Sequence, residues 1–248
     1  MLEILQYFYR RGIMYKDMEG LKVLKNSTPA RIASGHAGAR YCTKSYLKFR
    51  ADQAQAQDAV FSEVDENVVK DLGLFEVRTK CRDKYEMLTR PDLGRLFDEE
   101  TKSLIKEKCL NNPTVQIYCG DGLCSPSIKA NVKDLLPAIT EALEDEGIIV
   151  GTPFFVRYCR VNTARTISTL LNAEVTCVLI GERPGLITSE SMSAYIAYKA
   201  HEDMQESEYT VVSNISKHGI PPVEAAAHIV NIIKAMLEQK ISGIGLKI

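Results

Sequence analysis

Val175-Thr-Cys-Val-Leu-Ile180 runs without a charged residue and stops at Gly181-Glu-Arg-Pro-Gly185. Six mostly β-favouring residues cut off by Gly and Pro describe a buried strand of a parallel sheet, which is covered on both faces and so lacks polar alternation. In open α/β sheets ligands gather beyond the carboxyl ends of the strands, so the loop carrying Glu182 and Arg183 is a candidate site. An ordinary solvated strand exit is the plain alternative.

Outward from this run, strand and helix patterns alternate. Residues 115–119 read as a strand, and a helix capped by Asn131 follows through Leu135, Leu136, Ile139 and Leu143 to a stop at Gly147. A second apolar strand spans 148–156, interrupted at Thr152-Pro153, and a helix over 163–171 leads to the Val175 run. Residues 210–215 supply another strand, and a last helix follows Pro221-Pro222 with Val223, Ala227, Val230, Ile233 and Leu237 as its apolar face. Before Asn111-Asn112-Pro113 the pattern is mainly helical: an Ala/Gln-rich helix over 43–60, a short one over 65–72, an extended piece over 75–82, and one helix from Thr89-Arg90-Pro91-Asp92 to Cys109. The expectation is an α/β protein: a mostly parallel sheet flanked by helices over 111–248, after a mainly helical docking region over 1–110.

Composition narrows the function. The 248 residues are 45% hydrophobic and 25% charged, which is globular, and 31 Lys and Arg against 32 Asp and Glu leave no basic field for nucleic acid. No apolar run approaches the ~18 residues of a membrane span. Seven cysteines, an odd number with no Cys-x-x-Cys pair, suggest thiols packed as small hydrophobes in a reducing compartment.

The motifs argue mainly by exclusion. Gly120-Asp-Gly-Leu-Cys-Ser125 falls one glycine short of the dinucleotide fingerprint, and the second strand ends in Phe155-Val-Arg-Tyr158 with no acid for a ribose, so a tight βα turn is the better reading. There is no Gly-x-Ser-x-Gly elbow and no paired histidine motif among His36, His201, His218 and His228. The Gly35-His-Ala-Gly38 turn, flanked by Arg31 and Arg40, suits either an anion or a protein interface.

Several long runs carry a family resemblance: Ser27-Thr-Pro-Ala-Arg-Ile-Ala-Ser-Gly-His-Ala-Gly38, Leu88-Thr-Arg-Pro-Asp-Leu-Gly-Arg95, Val150-Gly-Thr-Pro-Phe-Phe-Val-Arg-Tyr158, Gly181-Glu-Arg-Pro-Gly-Leu186, Ser213-Asn-Ile215 and Pro221-Pro-Val-Glu-Ala-Ala-Ala227. The chain resembles the ethanolamine ammonia-lyase light chain from about Asn26 to Gly243. The resemblance implies a Rossmann-like unit that helps bind adenosylcobalamin at the interface with a heavy chain. That partner holds the substrate site, and the assembled lyase converts ethanolamine to acetaldehyde and ammonia by radical chemistry. No catalytic and no metal-ligating residue is then expected here, and the chain is expected to be inactive alone. The implied cofactor contacts are Val161, Glu182 and Val211, with Arg160 a weaker one; all three main contacts are expected at strand ends on one sheet edge. Residues two before the histidines are Ser34, Lys199, Ser216 and Ala226, so the Asp-x-His-x-x-Gly cobalt ligand is missing and base-on binding is implied. Val211 stands where known members have Cys, and His36 where they have Arg. The implied setting is the bacterial cytoplasm, with enclosure in a microcompartment left open on an amphipathic pattern over residues 2–8. A stand-alone Rossmann-like small-molecule binding module is the rival reading.

Overall fold

The computed structural model describes residues 19–248, so the amphipathic expectation over 2–8 lies outside the described residues. The described chain divides into two compact units. One comprises residues up to Gln57 with Gly185–Ile187; the other comprises Asp58–Pro184 with Thr188–Ile248.

In the first unit, helix α1 (Glu19–Ser27) precedes a two-stranded hairpin, β1 (His36–Ala37) and β2 (Arg40–Tyr41), closed by Gly38 at φ +65°. Arg31, one of the cations flanking that turn, is engaged elsewhere: its Nη2 lies 2.6 Å from Asp52 and donates to Leu186 O at 2.7 Å. Helix α2 (Thr43–Phe61) matches its expected span and rests on Ala, Gln and Lys propensity rather than burial, leaving Tyr46, Leu47 and Phe49 exposed.

The second unit carries a six-stranded sheet in the order β3-β5-β4-β6-β7-β8, formed by β3 (Phe75–Arg78), β4 (Val115–Gly120), β5 (Phe154–Arg157), β6 (Val175–Gly181), β7 (Met192–Tyr198) and β8 (Thr210–Ile215). The first four in spatial order are parallel, as expected of an α/β sheet; β7 runs antiparallel to both its neighbours. The opening run is thus parallel on one side only. Strand β7 escaped the sequence reading because Met-Ser-Ala-Tyr-Ile-Ala-Tyr has no bulky β-branched run, yet it pairs with β6 along its whole length, Val175 to Gly181. The edge strand β3, preceded by the short helix α3 (Glu66–Asp71), comes from before Asn111-Asn112-Pro113, so that change of composition lies inside this unit.

The helices between strands sit where the crossovers must put them. From β4 the chain moves to β5 on one side through α6 (Pro126–Asp145), then returns past β4 to β6 through α7 (Thr163–Leu171). Crossovers of one handedness running in opposite directions place their helices on opposite faces. One buried cluster therefore joins Ile117, Cys119, Phe155, Cys177 and Leu179 to α6 and to α8 (Pro222–Gln239). The other joins Tyr118, Phe154, Val156, Val178 and Ile180 to α7 and to α5 (Glu99–Lys108).

Three local expectations are corrected. The single helix expected from Thr89-Arg90-Pro91-Asp92 to Cys109 is split into a 3-10 turn, Leu93–Arg95, and α5, because Leu96 is extended, its carbonyl accepting from Lys80 N at 2.9 Å, and Asp98 caps afresh by accepting from Thr101 N at 2.8 Å. Asn131 is no cap: α6 begins at Pro126, and the buried Asn131 donates through Nδ2 to Ser127 O at 2.9 Å and Glu190 O at 2.7 Å. On α8 the buried stripe is Ala225, Ala226, Ile229, Val230, Ile232, Ile233 and Met236, whereas Val223 is 65% exposed. The spacing was helical but its phase was set by which residues meet β6–β8. Replacing Asn131 by Ala is expected to cost about 2 kcal/mol, since both carbonyls lose a buried donor; a denaturant melt unchanged from the parent would show that the bridge contributes nothing.

Candidate functional site

Strand β4 sends its connection towards β5 and β6 sends its connection the other way, so the crevice between their carboxyl ends is the topological switch point of the sheet. A cleft of about 260 Å³ lies there, lined among others by Gly122 after β4, Arg160 and Val161 after β5, Glu182 after β6, and Ser193 and Tyr195 of β7. Its floor is built by close backbone approach. Gly122 adopts φ +53°, where a Cβ would stand 2.6 Å from Gly181 O, so the turn after β4 needs glycine to lie against the end of β6.

Glu182 is held rather than loose. Ser191 Oγ donates to Oε2 at 2.7 Å, Ser193 Oγ donates to Oε1, and the Asn214 amide donates to Oε1 at 2.7 Å. The last contact depends on Asn214 taking φ +60° near the end of β8, a left-handed conformation that Asn tolerates. One carboxylate thereby ties the ends of β6, β7 and β8 and still has acceptor capacity on its half-buried surface.

Arg160, the weaker of the expected contacts, lines the cleft but turns its guanidinium inward. Its Nη2 donates to Met87 O at 2.7 Å, in the short helix α4 (Lys84–Thr89), and its Nε is buried with no partner among the described residues. Burial pulls its pKa down, although a guanidinium remains charged. Arg183 is exposed at the cleft mouth. Val211 is not at the strand end expected of it: it is the second residue of β8 and is not among the residues lining the cleft. Its register partner is Tyr195, which does, and Val211 is 43% exposed. The structure thus brings Arg160, Val161 and Glu182 together and leaves Val211 one strand away, beside Tyr195.

Beneath the cleft, Tyr158 at φ +57° turns the chain so that Cys159 N donates to Asp121 Oδ1 at 3.1 Å, and Lys84 Nζ stands 3.6 Å from Asp121 Oδ2. Sequence patterns did not point to Lys84, Ser191, Ser193 or Asn214. Nothing in one chain's spacing signals a partner 32 or 37 residues away.

The cysteines form no disulfide. Burial pushes the Cys109 thiol up to about 11 and those of Cys159 and Cys177 up to about 12, whereas hydrogen bonding with Ser45 lowers that of Cys42, at the start of α2. A disulfide reagent at pH 8 is expected to modify Cys42 of the isolated chain first and the other six only on unfolding; early reaction of any buried thiol would contradict the packing. Among the described residues no group of three or more His, Cys, Asp or Glu is arranged to hold a metal ion, and no helix is long and apolar enough to cross a membrane.

Comparison with known proteins agrees with the runs quoted above. The family model for the ethanolamine ammonia-lyase light chain (EutC) matches residues 18–247. The ethanolamine ammonia-lyase small subunit of Clostridium perfringens is 54% identical over 231 residues, 93% of this chain and 78% of that protein. The small subunit of Fusobacterium nucleatum is 54% identical over 224 residues, 90% and 76% of the two chains. That of Clostridium acetobutylicum is 53% identical over 230 residues, 93% of this chain and 95% of its own length. Nearly the whole described chain is covered at such identity, and the chain belongs to the ethanolamine ammonia-lyase light chain family.

Proposed function

We propose that this chain is the small subunit of an adenosylcobalamin-dependent ethanolamine ammonia-lyase, that it assembles with a heavy chain carrying the substrate site, and that its switch-point cleft receives one edge of the cobalamin. The observation that carries the reading is Glu182, a carboxylate fixed at the sheet edge by three donors with acceptor capacity to spare.

The residues fit one edge of such a ligand by their chemistry. A cleft of about 260 Å³ is smaller than the ~300–1,000 Å³ pockets that enclose drug-sized molecules, so a corrinoid needs a second surface, which a partner subunit supplies. Corrin side-chain amides are donors, matched by Glu182; Val161 and the Tyr195 ring offer apolar contact, with Val211 behind Tyr195. When bound, adenosylcobalamin supplies the radical chemistry that converts ethanolamine to acetaldehyde and ammonia. This chain's part is to orient and to exclude water. Glu182 fixes the ligand's rotation through directional hydrogen bonds, and the apolar residues close its flank. In this reading residues 111–248 carry the cofactor contacts and 1–110 dock, with base-on binding and a cytoplasmic setting.

The test is acetaldehyde release from ethanolamine with adenosylcobalamin, by the purified chain with and without a co-expressed heavy chain. Turnover only with both chains supports the proposal. Tight cobalamin binding by a monomer, without partner-dependent turnover, favours a stand-alone binding module.

A further inference from the structure

Lys84 is 4% exposed and Asp121 fully buried, and neither lines the cleft. A buried ion pair is a costly way to stabilise a fold, because both charges are desolvated and well-packed apolar side chains of similar volume often do as well. What distinguishes this pair is where its hydrogen bonds go. Lys84 Nζ donates to Gly122 O at 2.8 Å and to Ser125 Oγ at 3.4 Å, both in the turn after β4, and faces Asp121 Oδ2 at 3.6 Å. Asp121 in turn holds the turn after β5 through the Cys159 amide. One helical turn past Lys84, Met87 O accepts from Arg160 on that same second turn. Helix α4 therefore grips both lips of the cleft from behind: one by the lysine head, the other by a backbone carbonyl.

We infer that Lys84 and Asp121 are positioning residues for the cofactor cleft, setting the spacing between the turn carrying Gly122 and the turn carrying Arg160 and Val161. This rests on the cobalamin reading of the cleft. An apolar pair could fill the same volume, but it would leave Gly122 O and the Cys159 amide without their partners, so the two turns would lose a common reference.

The test uses the complete two-subunit enzyme with cyanocobalamin as the binding probe. Removing one charge strands the other, so Lys84→Met or Asp121→Asn alone is expected to lower the melting temperature. The double variant Lys84→Met/Asp121→Leu removes both charges together with the donor to Gly122 O and the acceptor of the Cys159 amide. The expected result is a double variant that melts close to the parent but binds cyanocobalamin at least about tenfold more weakly, with the KM for adenosylcobalamin raised and kcat at saturation within twofold. Parental melting together with parental cyanocobalamin affinity overturns the inference and leaves the pair a fold element. Should the double variant fail to assemble, hydrogen exchange in the parental enzyme decides. Cyanocobalamin is expected to slow exchange in residues 84–89, which do not line the cleft; slowing confined to 180–183 overturns the inference while sparing the cofactor reading. A parental enzyme that binds no cyanocobalamin takes down both.

Discussion

Glu182→Ala is expected to raise the KM for adenosylcobalamin in the assembled enzyme by about 10- to 100-fold, the weight of one or two hydrogen bonds to a charged group. Its effect on the fold is also large. Ser191 Oγ, Ser193 Oγ and the Asn214 amide lose their common acceptor, so the ends of β6, β7 and β8 are no longer tied. Glu182→Gln separates the two roles. Its carbonyl still accepts from one side while a serine hydroxyl rotates to accept from the amide, so stability is expected near the parent and the cofactor KM raised by about tenfold, the charge-assisted share. A steady-state titration of adenosylcobalamin against both variants is the measurement. An unchanged KM in Glu182→Gln would remove the residue from cofactor binding and leave it a strand tie.

Tyr118→Ala is expected to cost about 4 kcal/mol in a urea melt, against about 1 kcal/mol for Tyr118→Phe. Tyr118 is fully buried and stacks on Phe154 at 5.3 Å and 11°, and Phe154 stacks on Phe75 at 5.3 Å, so three adjacent strands share one aromatic layer. Deleting the Tyr118 ring, at the β4 end of this layer, opens a cavity among groups that cannot collapse, because β3, β4 and β5 are held in register by their backbone ladders. The hydroxyl contributes less. Its partner, Thr163 Oγ1 at 2.9 Å, also donates to Arg160 O, so Tyr118→Phe leaves it satisfied. A loss under about 2 kcal/mol for Tyr118→Ala would mean that the layer repacks.

Much of the fold was readable along the chain. The strands at 115–120 and 175–181 are buried at every position, and short β-favouring runs that end at Gly marked them as central strands. Thr163–Leu171 and Thr210–Ile215 matched their expected bounds. The errors share one cause. Asn131, the split at Leu96, the phase of α8 and the whole of β7 were each decided by a neighbour distant in sequence: Glu190 O, Lys80 N, the face of β6–β8, and the ladder to β6.

The candidate site divides the same way. Glu182 was legible as the residue after an apolar run that meets Gly and Pro, whereas Arg160, Val161 and Val211 were named through the family resemblance; Glu182, Arg160 and Val161 meet because strand ends in an α/β sheet converge on one edge. Local composition, periodicity and the long matching runs were enough for the fold class and the family, since those depend on neighbours within a few residues or on direct comparison. Which serines hold Glu182, that Arg160 turns back to Met87, that Val211 stands behind Tyr195, and that Lys84 and Asp121 meet beneath the cleft were decided only when the chain closed. Each of these depends on register and crossover between segments tens of residues apart, and their free energy exists only once both segments have been packed.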